Sequence, residues 1–288
     1  MKQAAIGIYV LLLTQISSKL ATCDDYQSVV EEMSPIVREY SIVDSKSKVP
    51  VTIYPPHQGS QRRPALLVYL YGSGGSHTVF NLQASSCERL RKLLAERNYY
   101  VVVPNLGPRH WMNREASQTL EVLIDQWTKE WNIDGRRVSL MGTSMGAGSA
   151  LAYGASHPNS LRSICAVMPM TDFAKWAREM PAYGAIMQDA YGGESPSNGK
   201  TFQANSAILH ADAFARTPLL LIHGTGDQIV PFAHSRSLEA ILHAKQYPCT
   251  LHTVEGMGHS DEIMKNLQTE TVDFFDAAMS DNVAIPER

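Results

Sequence analysis

A chain of 288 residues has the length of one large α/β domain, and no internal repeat or linker divides the sequence. Hydrophobic residues make up 44% and charged residues 18%, so the chain can bury a sizeable core, and disorder is not expected outside its ends. The formal charge of −3 has no sustained basic stretch behind it, which disfavours nucleic acid and anionic membrane surfaces as partners. The composition favours a small substrate without a strong charge.

The first 22 residues have the pattern of a secretory signal peptide. Lys2 supplies a positive charge, residues 4–13 form an apolar run, and small residues follow as far as Cys23. The run is too short to span a bilayer comfortably. We therefore predict a signal peptide over residues 1–22 and a secreted or periplasmic protein. A buried N-terminal helix is the alternative, and it is disfavoured because no polar face interrupts the run.

The sequence around Cys23 also fits an anchored lipoprotein, which is the alternative to secretion. The sequence Leu20-Ala21-Thr22-Cys23 resembles a bacterial lipobox, in which the cysteine is lipidated after cleavage. Because Thr22 fits poorly immediately before the cysteine, ordinary cleavage is preferred. Attachment to a membrane is therefore expected only if Cys23 is lipidated, which would make the protein an anchored lipoprotein.

The four cysteines do not have the spacing of metal ligands. Cys165 and Cys249 lie in apolar runs that are typical of strands, and we interpret both as small core residues. An oxidising compartment permits a disulfide, but the sequence does not pair Cys23, Cys87, Cys165 and Cys249. No metal site is predicted.

Strand-like and helix-like patterns alternate along most of the chain. Residues 23–48 are predicted to form a peripheral segment, in which apolar positions between Tyr26 and Tyr40 favour a surface helix. Strands are predicted over residues 49–54, 65–71, 99–103, 138–141, 163–168, 219–223 and 250–254, and helices over residues 83–97, 115–131, about 147–157, 232–244 and 260–279. This alternation predicts an α/β fold with a doubly wound, mostly parallel sheet and helices on both faces.

One interval, residues 169–217, does not follow this alternation. It contains a turn rich in Gly, Ser, Pro and Asn at residues 192–199. We predict that the interval forms a short, irregular cap of small helices and a flexible loop over the sheet.

Ser144 is the first candidate for a catalytic side chain. It lies in Gly142-Thr143-Ser144-Met145-Gly146, a G-x-S-x-G pattern between a predicted strand and a predicted helix. A serine nucleophile must project from a sharp turn, where larger flanking side chains would collide with neighbouring backbone. A chance match in a chain with 19 glycines is the alternative, and the position between strand and helix argues against it.

Asp227 and His259 are predicted to complete a catalytic triad with Ser144. In parallel α/β sheets, sites form outside the carboxyl ends of the strands, and each of the three residues follows a different predicted strand. Serine would attack a carbonyl carbon, histidine would transfer the proton, and aspartate would fix the imidazole tautomer. Asp172 is a rival for the acid, although a helix cap suits it better.

These motifs resemble those of the α/β-hydrolase superfamily and, more narrowly, of the prolyl-oligopeptidase-related (S9-like) esterases and peptidases. The segments that carry the resemblance are residues 142–146, 217–231 and 256–259, and the likeness extends roughly from Val49 to Ala278. It implies that residues 49–288 form a catalytic domain that works through an acyl-enzyme, without metal or cofactor. No stretch corresponds to the propeller domain of the oligopeptidases, which shifts the expectation towards an esterase.

An acyl-enzyme mechanism also needs donors for an oxyanion. The backbone amide of Met145 is the first candidate. The resemblance implies that the second donor lies in the loop after Tyr71, where Ser73 is favoured and Gly74 is the fallback. Tyr71 stands where the family often has histidine. A phosphate-binding loop is the alternative for this glycine-rich segment, but the P-loop lysine is absent.

Three aromatic residues are candidates for the wall of a substrate pocket: Trp111, Trp176 and Tyr183. Aromatic walls suit sugars and aromatic acyl groups, and core packing is the alternative.

We predict a secreted serine hydrolase that cleaves small carboxylic esters, such as acetyl or feruloyl esters of sugars. A peptidase for short peptides and a non-catalytic binding protein with the same fold are the alternatives. The sequence specifies neither the acyl group nor the oligomeric state.

Overall fold

An eight-stranded sheet runs through the part of the chain that the computed structural model describes, residues 35–42, 48–57, 59, 61–81 and 86–280. The strands are β1 (Ile36–Ser41), β2 (Lys48–Tyr54), β3 (Ala65–Leu70), β4 (Tyr99–Pro104), β5 (Val138–Thr143), β6 (Ser163–Val167), β7 (Leu219–Gly224) and β8 (Cys249–Val254). Their order in the sheet is β1-β2-β4-β3-β5-β6-β7-β8. β1 and β2 are antiparallel to their neighbours, and β3 to β8 are parallel. The predicted mostly parallel α/β sheet is therefore confirmed.

Helices cover both faces of the sheet. They are α1 (Ser86–Glu96), α2 (Arg114–Glu130), α3 (Met145–Ser156), α4 (Phe173–Glu179), α5 (Pro181–Ala190), α6 (Lys200–Asn205), α7 (Ala233–Ala244) and α8 (Gln268–Met279). Along β3, Leu67 and Tyr69 point into a core shared with α1 and α8, whereas Leu66 and Val68 point into a core shared with α2, α3 and α7. The run of apolar residues in β3 reflects this burial on both faces.

β1 corrects one prediction. The surface helix expected between Tyr26 and Tyr40 is wrong for its described part, because Ile36–Ser41 is an edge strand of the sheet. Pro35 disfavours a helix interior, and Ile, Val and Tyr fit a strand at the edge of the sheet. The ring of Tyr40 packs edge-on against Trp127 at 5.9 Å. The sheet therefore begins before residue 49, and the predicted signal peptide and Cys23 lie outside the described residues.

The interval of residues 169–217 consists of α4, α5, α6 and a 3-10 segment over Ala207–Phe214. The carboxylate of Glu194 accepts hydrogen bonds from the amide and the hydroxyl of Thr201, each at 2.8 Å, and so ties down the glycine-rich turn. Asp172 Oδ1 accepts from the Lys175 amide at 2.8 Å, which is the helix cap predicted for it. Asp172 is therefore occupied as a structural cap of α4.

The last predicted helix is shorter than expected. A 3-10 turn occupies Asp261–Met264, and α8 begins only at Gln268. The hydroxyl of Ser260 accepts from the Glu262 amide at 3.3 Å, so the chain caps the short turn before it enters α8. No helix in the described ranges is both long enough and apolar enough to cross a bilayer.

Among the described cysteines, Cys165 and Cys249 are free thiols. Cys165 is fully buried in β6, as predicted for a core residue, and burial raises its pKa. Cys249 is only partly buried at the start of β8, and burial raises its pKa to about 12. Cys87, in α1, is also partly buried.

Candidate active site

Ser144 occupies the turn between β5 and α3. Its backbone has φ of +54° and ψ of −118°, a conformation that L-residues rarely adopt and that costs about 1–3 kcal/mol. The turn is held because the Ser144 amide donates to Val167 O at 2.9 Å and the Gly148 amide donates to Ser144 O at 3.0 Å. The side chain remains partly accessible although its neighbours are buried.

Two glycines make this turn possible. A Cβ on Gly146 would lie 1.9 Å from Leu70 O, and one on Gly142 would lie 2.3 Å from the carbonyl of Gly146. Both obstacles are backbone atoms, which cannot rotate away. The glycines of the G-x-S-x-G pattern are therefore required because a larger side chain at either position would collide with the backbone.

The structure brings Ser144, Asp227 and His259 together in one hydrogen-bonded chain. His259 Nε2 lies 2.9 Å from Ser144 Oγ, and His259 Nδ1 lies 2.6 Å from Asp227 Oδ2. The imidazole is 18% exposed and the Asp227 carboxylate is fully buried. A base that contacts the hydroxyl and a buried carboxylate that orients the base form the geometry of a nucleophilic triad.

The turns that carry Asp227 and His259 are bonded to each other. The Gly226 amide donates to Met257 O at 3.0 Å, and the Gly256 amide donates to Thr225 Oγ1 at 2.8 Å. These bonds connect the chain after β7 to the chain after β8. The separation between carboxylate and imidazole is thus fixed by backbone as well as by the side chains.

Asp227 is held as a carboxylate. Burial alone would raise its pKa, but hydrogen bonds from His223 and His259, together with the Val230 amide, outweigh burial and hold the pKa well below its usual range. Oδ1 accepts from the amides of Ile229 and Val230, each at 2.9 Å. A carboxylate with this many donors remains ionised near neutral pH.

The loop after β3 borders Ser144. A Cβ on Gly72 would lie 3.7 Å from Ser144 Cβ, so Gly72, the residue before Ser73, lies beside Ser144. The amide of Gly74 donates to Pro108 O at 2.7 Å, so the fallback oxyanion donor is already occupied. Met145 is the first residue of α3, where a backbone amide has no partner within its helix. Met145 and Ser73 stay the predicted oxyanion donors.

Tyr71 anchors this loop to the chain after β4. Its hydroxyl lies 3.1 Å from Asn105 Oδ1 and 3.2 Å from Gly107 O, and it donates to these acceptors. Burial raises the pKa of Tyr71 to about 12, which keeps the hydroxyl protonated as a donor. The residue that departs from the family pattern therefore supports the position of the loop. The sequence did not predict this role, because the partners lie more than 30 residues away.

The three aromatic candidates form one cluster. The ring centroids of Trp111 and Trp176 are 5.6 Å apart, and those of Trp176 and Tyr183 are 5.1 Å apart. Both indoles are 1% exposed, as core packing would require, whereas Tyr183 is partly exposed. Trp176 Nε1 donates to Ile229 O at 2.8 Å, so the cluster is hydrogen-bonded to the turn that carries Asp227. Direct contact of these rings with a substrate stays a prediction.

A strained segment after β4 supports the cluster. Trp111 and Met112 have φ of +45° and +50°, in the left-handed region that non-glycine residues rarely occupy. The hydroxyl of Tyr191 donates to Trp111 O at 2.6 Å, and Asn205 Nδ2 donates to Met112 O at 3.0 Å. Two residues of the 169–217 interval thus stabilise the strained backbone, a connection that the sequence did not predict.

Because of His110, next to this segment, the stability of the folded chain should depend on pH. Burial lowers the pKa of His110 to about 3, and Nδ1 accepts from the Met112 amide. The unfolded chain takes up a proton at this histidine near pH 6.5, and the folded chain does not. The free energy of unfolding is therefore unaffected by His110 above pH 6.5 and decreases as the pH falls from 6.5 towards 3. Lowering the pH from 7 to 5 should cost about 2 kcal/mol of unfolding free energy at this residue.

Urea unfolding of the wild type and of His110→Asn at pH 7 and pH 5 measures this loss. Asparagine Oδ1 can accept from the Met112 amide but does not titrate, so the variant should lose about 2 kcal/mol less than the wild type. His234, whose pKa burial lowers to about 4, is unchanged in both proteins and contributes equally. An identical pH dependence of the two proteins would contradict the prediction.

No cluster of three or more His, Cys, Asp or Glu side chains within residues 86–280 and the shorter described ranges could hold a metal ion.

A sheet of this order, with a serine, an aspartate and a histidine at the carboxyl ends of its parallel strands, defines an α/β-hydrolase fold. The model of the prolyl oligopeptidase family matches residues 88–282, which is more than half of the chain. The chain belongs to this family.

Solved structures share the fold. An S-formylglutathione hydrolase from Agrobacterium tumefaciens superposes with a TM-score of 0.70 at 16% identity, over 86% of this chain and 99% of that chain. A puromycin-hydrolyzing peptidase from Mycobacterium tuberculosis superposes with a TM-score of 0.68 at 19% identity, over 86% of this chain and 40% of that one.

Among curated proteins, the inactive dipeptidyl peptidase 10 of Mus musculus is 26% identical over 159 residues. That alignment covers 54% of this chain and 19% of the mouse protein, so this chain spans about a fifth of the relative's length. The proteins that this chain resembles thus include some named as a hydrolase or a peptidase and one named as inactive.

Proposed function

We propose that this chain is an active serine hydrolase that cleaves small carboxylic esters through an acyl-enzyme at Ser144. The observation that carries the proposal is the hydrogen-bonded chain from Ser144 Oγ through His259 to the buried carboxylate of Asp227. A binding protein that has only kept the scaffold would not need these three groups aligned, which argues against the non-catalytic alternative.

The first half of the reaction forms the acyl-enzyme. His259 Nε2 takes the proton of Ser144 Oγ while the oxygen attacks the ester carbonyl carbon, and Asp227 stabilises the imidazolium through Nδ1. The amides of Met145 and Ser73 would donate to the oxyanion, each donor contributing about 3–4 kcal/mol in such sites. His259 then gives the proton to the leaving alkoxide, and the alcohol departs.

The second half uses the same groups on a water molecule. His259 takes a proton from the water, whose oxygen attacks the acyl carbon, and returns that proton to Ser144 Oγ as the carboxylic acid leaves. The partial accessibility of Ser144 and His259 allows water to reach the acyl group.

The preference for esters over peptides is supported by one likeness. The A. tumefaciens protein, named as an S-formylglutathione hydrolase, matches this chain over 99% of its own length, whereas the match to the puromycin-hydrolyzing peptidase covers 40% of that chain.

The signal-like pattern of residues 1–22 supports a reaction outside the cytoplasm, and acetyl or feruloyl esters of sugars are the substrates proposed there. A short-peptide peptidase is the second candidate, because the peptidase shares the same fold.

Two substrates with the same acyl group test this choice. 4-Nitrophenyl acetate and 4-nitroacetanilide share the acyl group, but the ester is also the more reactive compound without enzyme. We therefore expect the ratio of kcat/KM, ester over anilide, to exceed the ratio of their uncatalysed hydrolysis rates by at least about 100-fold. A ratio of kcat/KM below that of the uncatalysed rates would favour the peptidase. Turnover of neither substrate, nor of acetylated or feruloylated sugars, would favour the binding protein.

A further inference from the structure

The catalytic carboxylate candidate faces two imidazoles rather than one. Besides His259, the side chain of His223 approaches Asp227, with His223 Nε2 lying 3.3 Å from Asp227 Oδ2. The same nitrogen lies 2.9 Å from Val230 O. The side chains of His223 and Asp227 are both fully buried, so water does not compete for these contacts.

The surroundings of His223 define where its ring carries a proton. Val230 O and Asp227 Oδ2 are both acceptors, so Nε2 must be the protonated nitrogen whether the ring is neutral or charged. Nδ1 lies 2.7 Å from Ser235 Oγ, whose hydroxyl donates to it when the ring is neutral. An N–H group is thereby aimed at the space between Val230 O and the carboxylate.

This N–H group closes the turn that presents Asp227. His223 lies near the end of β7, four residues before the aspartate, in an otherwise apolar strand. Asp227 Oδ1 already accepts from the amides of Ile229 and Val230, and His223 holds the other side of the same turn through Val230 O. The ring is also packed edge-on against Phe232, with centroids 5.9 Å apart.

We propose that His223 is a positioning residue that shares its Nε2–H between Val230 O and Asp227 Oδ2, and so fixes the carboxylate and limits the negative charge that it offers to His259. The inference rests on the proposed function, because it assigns a role within that catalytic site.

The expected consequence follows from the charge on Oδ2. Without the His223 donor, Oδ2 becomes a stronger acceptor and stabilises the protonated form of His259 more strongly. The acid limb of the pH profile should therefore move to higher pH, and the carboxylate should become less well oriented.

Other titratable groups near the pair stay constant in this comparison. Asp261 faces His259 from the following 3-10 turn, and burial raises its pKa. His234, on α7, interacts with His223, and Lys175 and Glu179, on α4, interact with His234. Because none of them is altered, a shift in the titration of His259 can be assigned to residue 223.

Two variants distinguish the effect of an N–H donor at the position of His223 Nε2 from the effect of any polar side chain at residue 223. In His223→Gln the amide nitrogen can reach the position of Nε2, whereas in His223→Asn it reaches only the position of Nδ1, beside Ser235. We expect His223→Asn to raise the acid limb of kcat/KM by about half a pH unit or more and to lower kcat about tenfold, with KM unchanged. His223→Gln should remain within about threefold of the wild type.

Proton NMR gives a readout that needs no turnover. The Nδ1 proton of His259, shared with Asp227, should resonate further downfield in His223→Asn than in the wild type and in His223→Gln. An unchanged resonance and an unchanged acid limb in a folded His223→Asn protein would overturn the inference, even if activity fell. If the wild type has no hydrolase activity but the resonance shifts as expected, the proposed function fails and the positioning role stands.

The wild-type protein provides a test that does not depend on the folding of a variant. A long-range ¹H–¹⁵N spectrum reports which nitrogen of each histidine is protonated. We expect His223 to carry its proton at Nε2 over the whole pH range of stability. A neutral His223 protonated at Nδ1 would overturn the inference, because Nε2 would then have no hydrogen to donate.

Discussion

Replacing Ser144 by alanine is expected to lower kcat for a short acyl ester by about 10⁶-fold, the size seen when triad members are removed from other serine hydrolases. His259 Nε2 would lose its only hydroxyl partner at 2.9 Å, and no other nucleophile is bonded to this nitrogen in the described chain. KM should change little, since Oγ contributes to the reaction rather than to the binding of substrate. Steady-state kinetics with purified protein measure both constants.

The fold is expected to survive this substitution. Serine and alanine are similar in size, and alanine meets the same backbone strain at φ of +54° as serine does. The near-ultraviolet circular dichroism and the melting temperature should therefore match those of the wild type within a few degrees. Activity within tenfold of the wild type in a folded Ser144→Ala protein would show that Ser144 is not the nucleophile.

Replacing Asp227 by asparagine is expected to lower kcat by about 10⁴-fold, the magnitude known for the equivalent change in a serine protease. Asparagine Oδ1 can still accept from the Ile229 and Val230 amides, so the turn should keep its shape. The new Nδ2 would point at His259 and at the Nε2–H of His223, and it cannot accept from either. His259 would then take the tautomer whose Nε2–H cannot remove the serine proton.

Asp172 supplies the matched control, because it is the rival carboxylate in the same sequence. Its side chain caps α4 through the Lys175 amide, and an asparagine can make the same bond. Asp172→Asn should therefore keep kcat within about twofold, with a stability change below about 1 kcal/mol. Equal losses in the two variants, or a larger loss in Asp172→Asn, would reassign the catalytic acid.

The arrangement of strands and helices followed from the sequence because it depends on local patterns. The central strands are buried on both faces and read as continuous apolar runs, such as Ala65–Leu70. The turn at Ser144 could be predicted because its steric requirement is met by glycines two residues on either side. Asp227 and His259 could be placed near Ser144 because parallel strands direct their carboxyl ends to one edge of the sheet.

Features that depend on distant partners could not be predicted in this way. His223 belongs to an apolar strand, and only the three-dimensional position of Val230 O and Asp227 shows what its ring does. A buried histidine inside such a strand was nevertheless a signal, since polar groups there need partners. The anchor formed by Tyr71 and Asn105 has no sequence signature, because its two residues follow different strands.

The edge of the sheet shows the limit of periodicity. Ile36–Ser41 contains apolar residues that also suit a helix, and pairing with β2 decides in favour of the strand. In the same way, aromatic residues can serve a pocket or a core, and the burial of Trp111 and Trp176 at 1% exposure could not be read from their types.

Covalent labelling of the wild-type protein with a fluorophosphonate, followed by peptide mass spectrometry, measures directly whether Ser144 is an activated nucleophile. Such a probe reacts with a serine only when a neighbouring base activates the hydroxyl and an oxyanion site accepts the phosphonyl oxygen. We expect one phosphonyl group per chain, on the peptide that contains Ser144, with labelling abolished in Asp227→Asn. A wild-type protein that stays unlabelled, or that is labelled at another serine, would contradict this expectation.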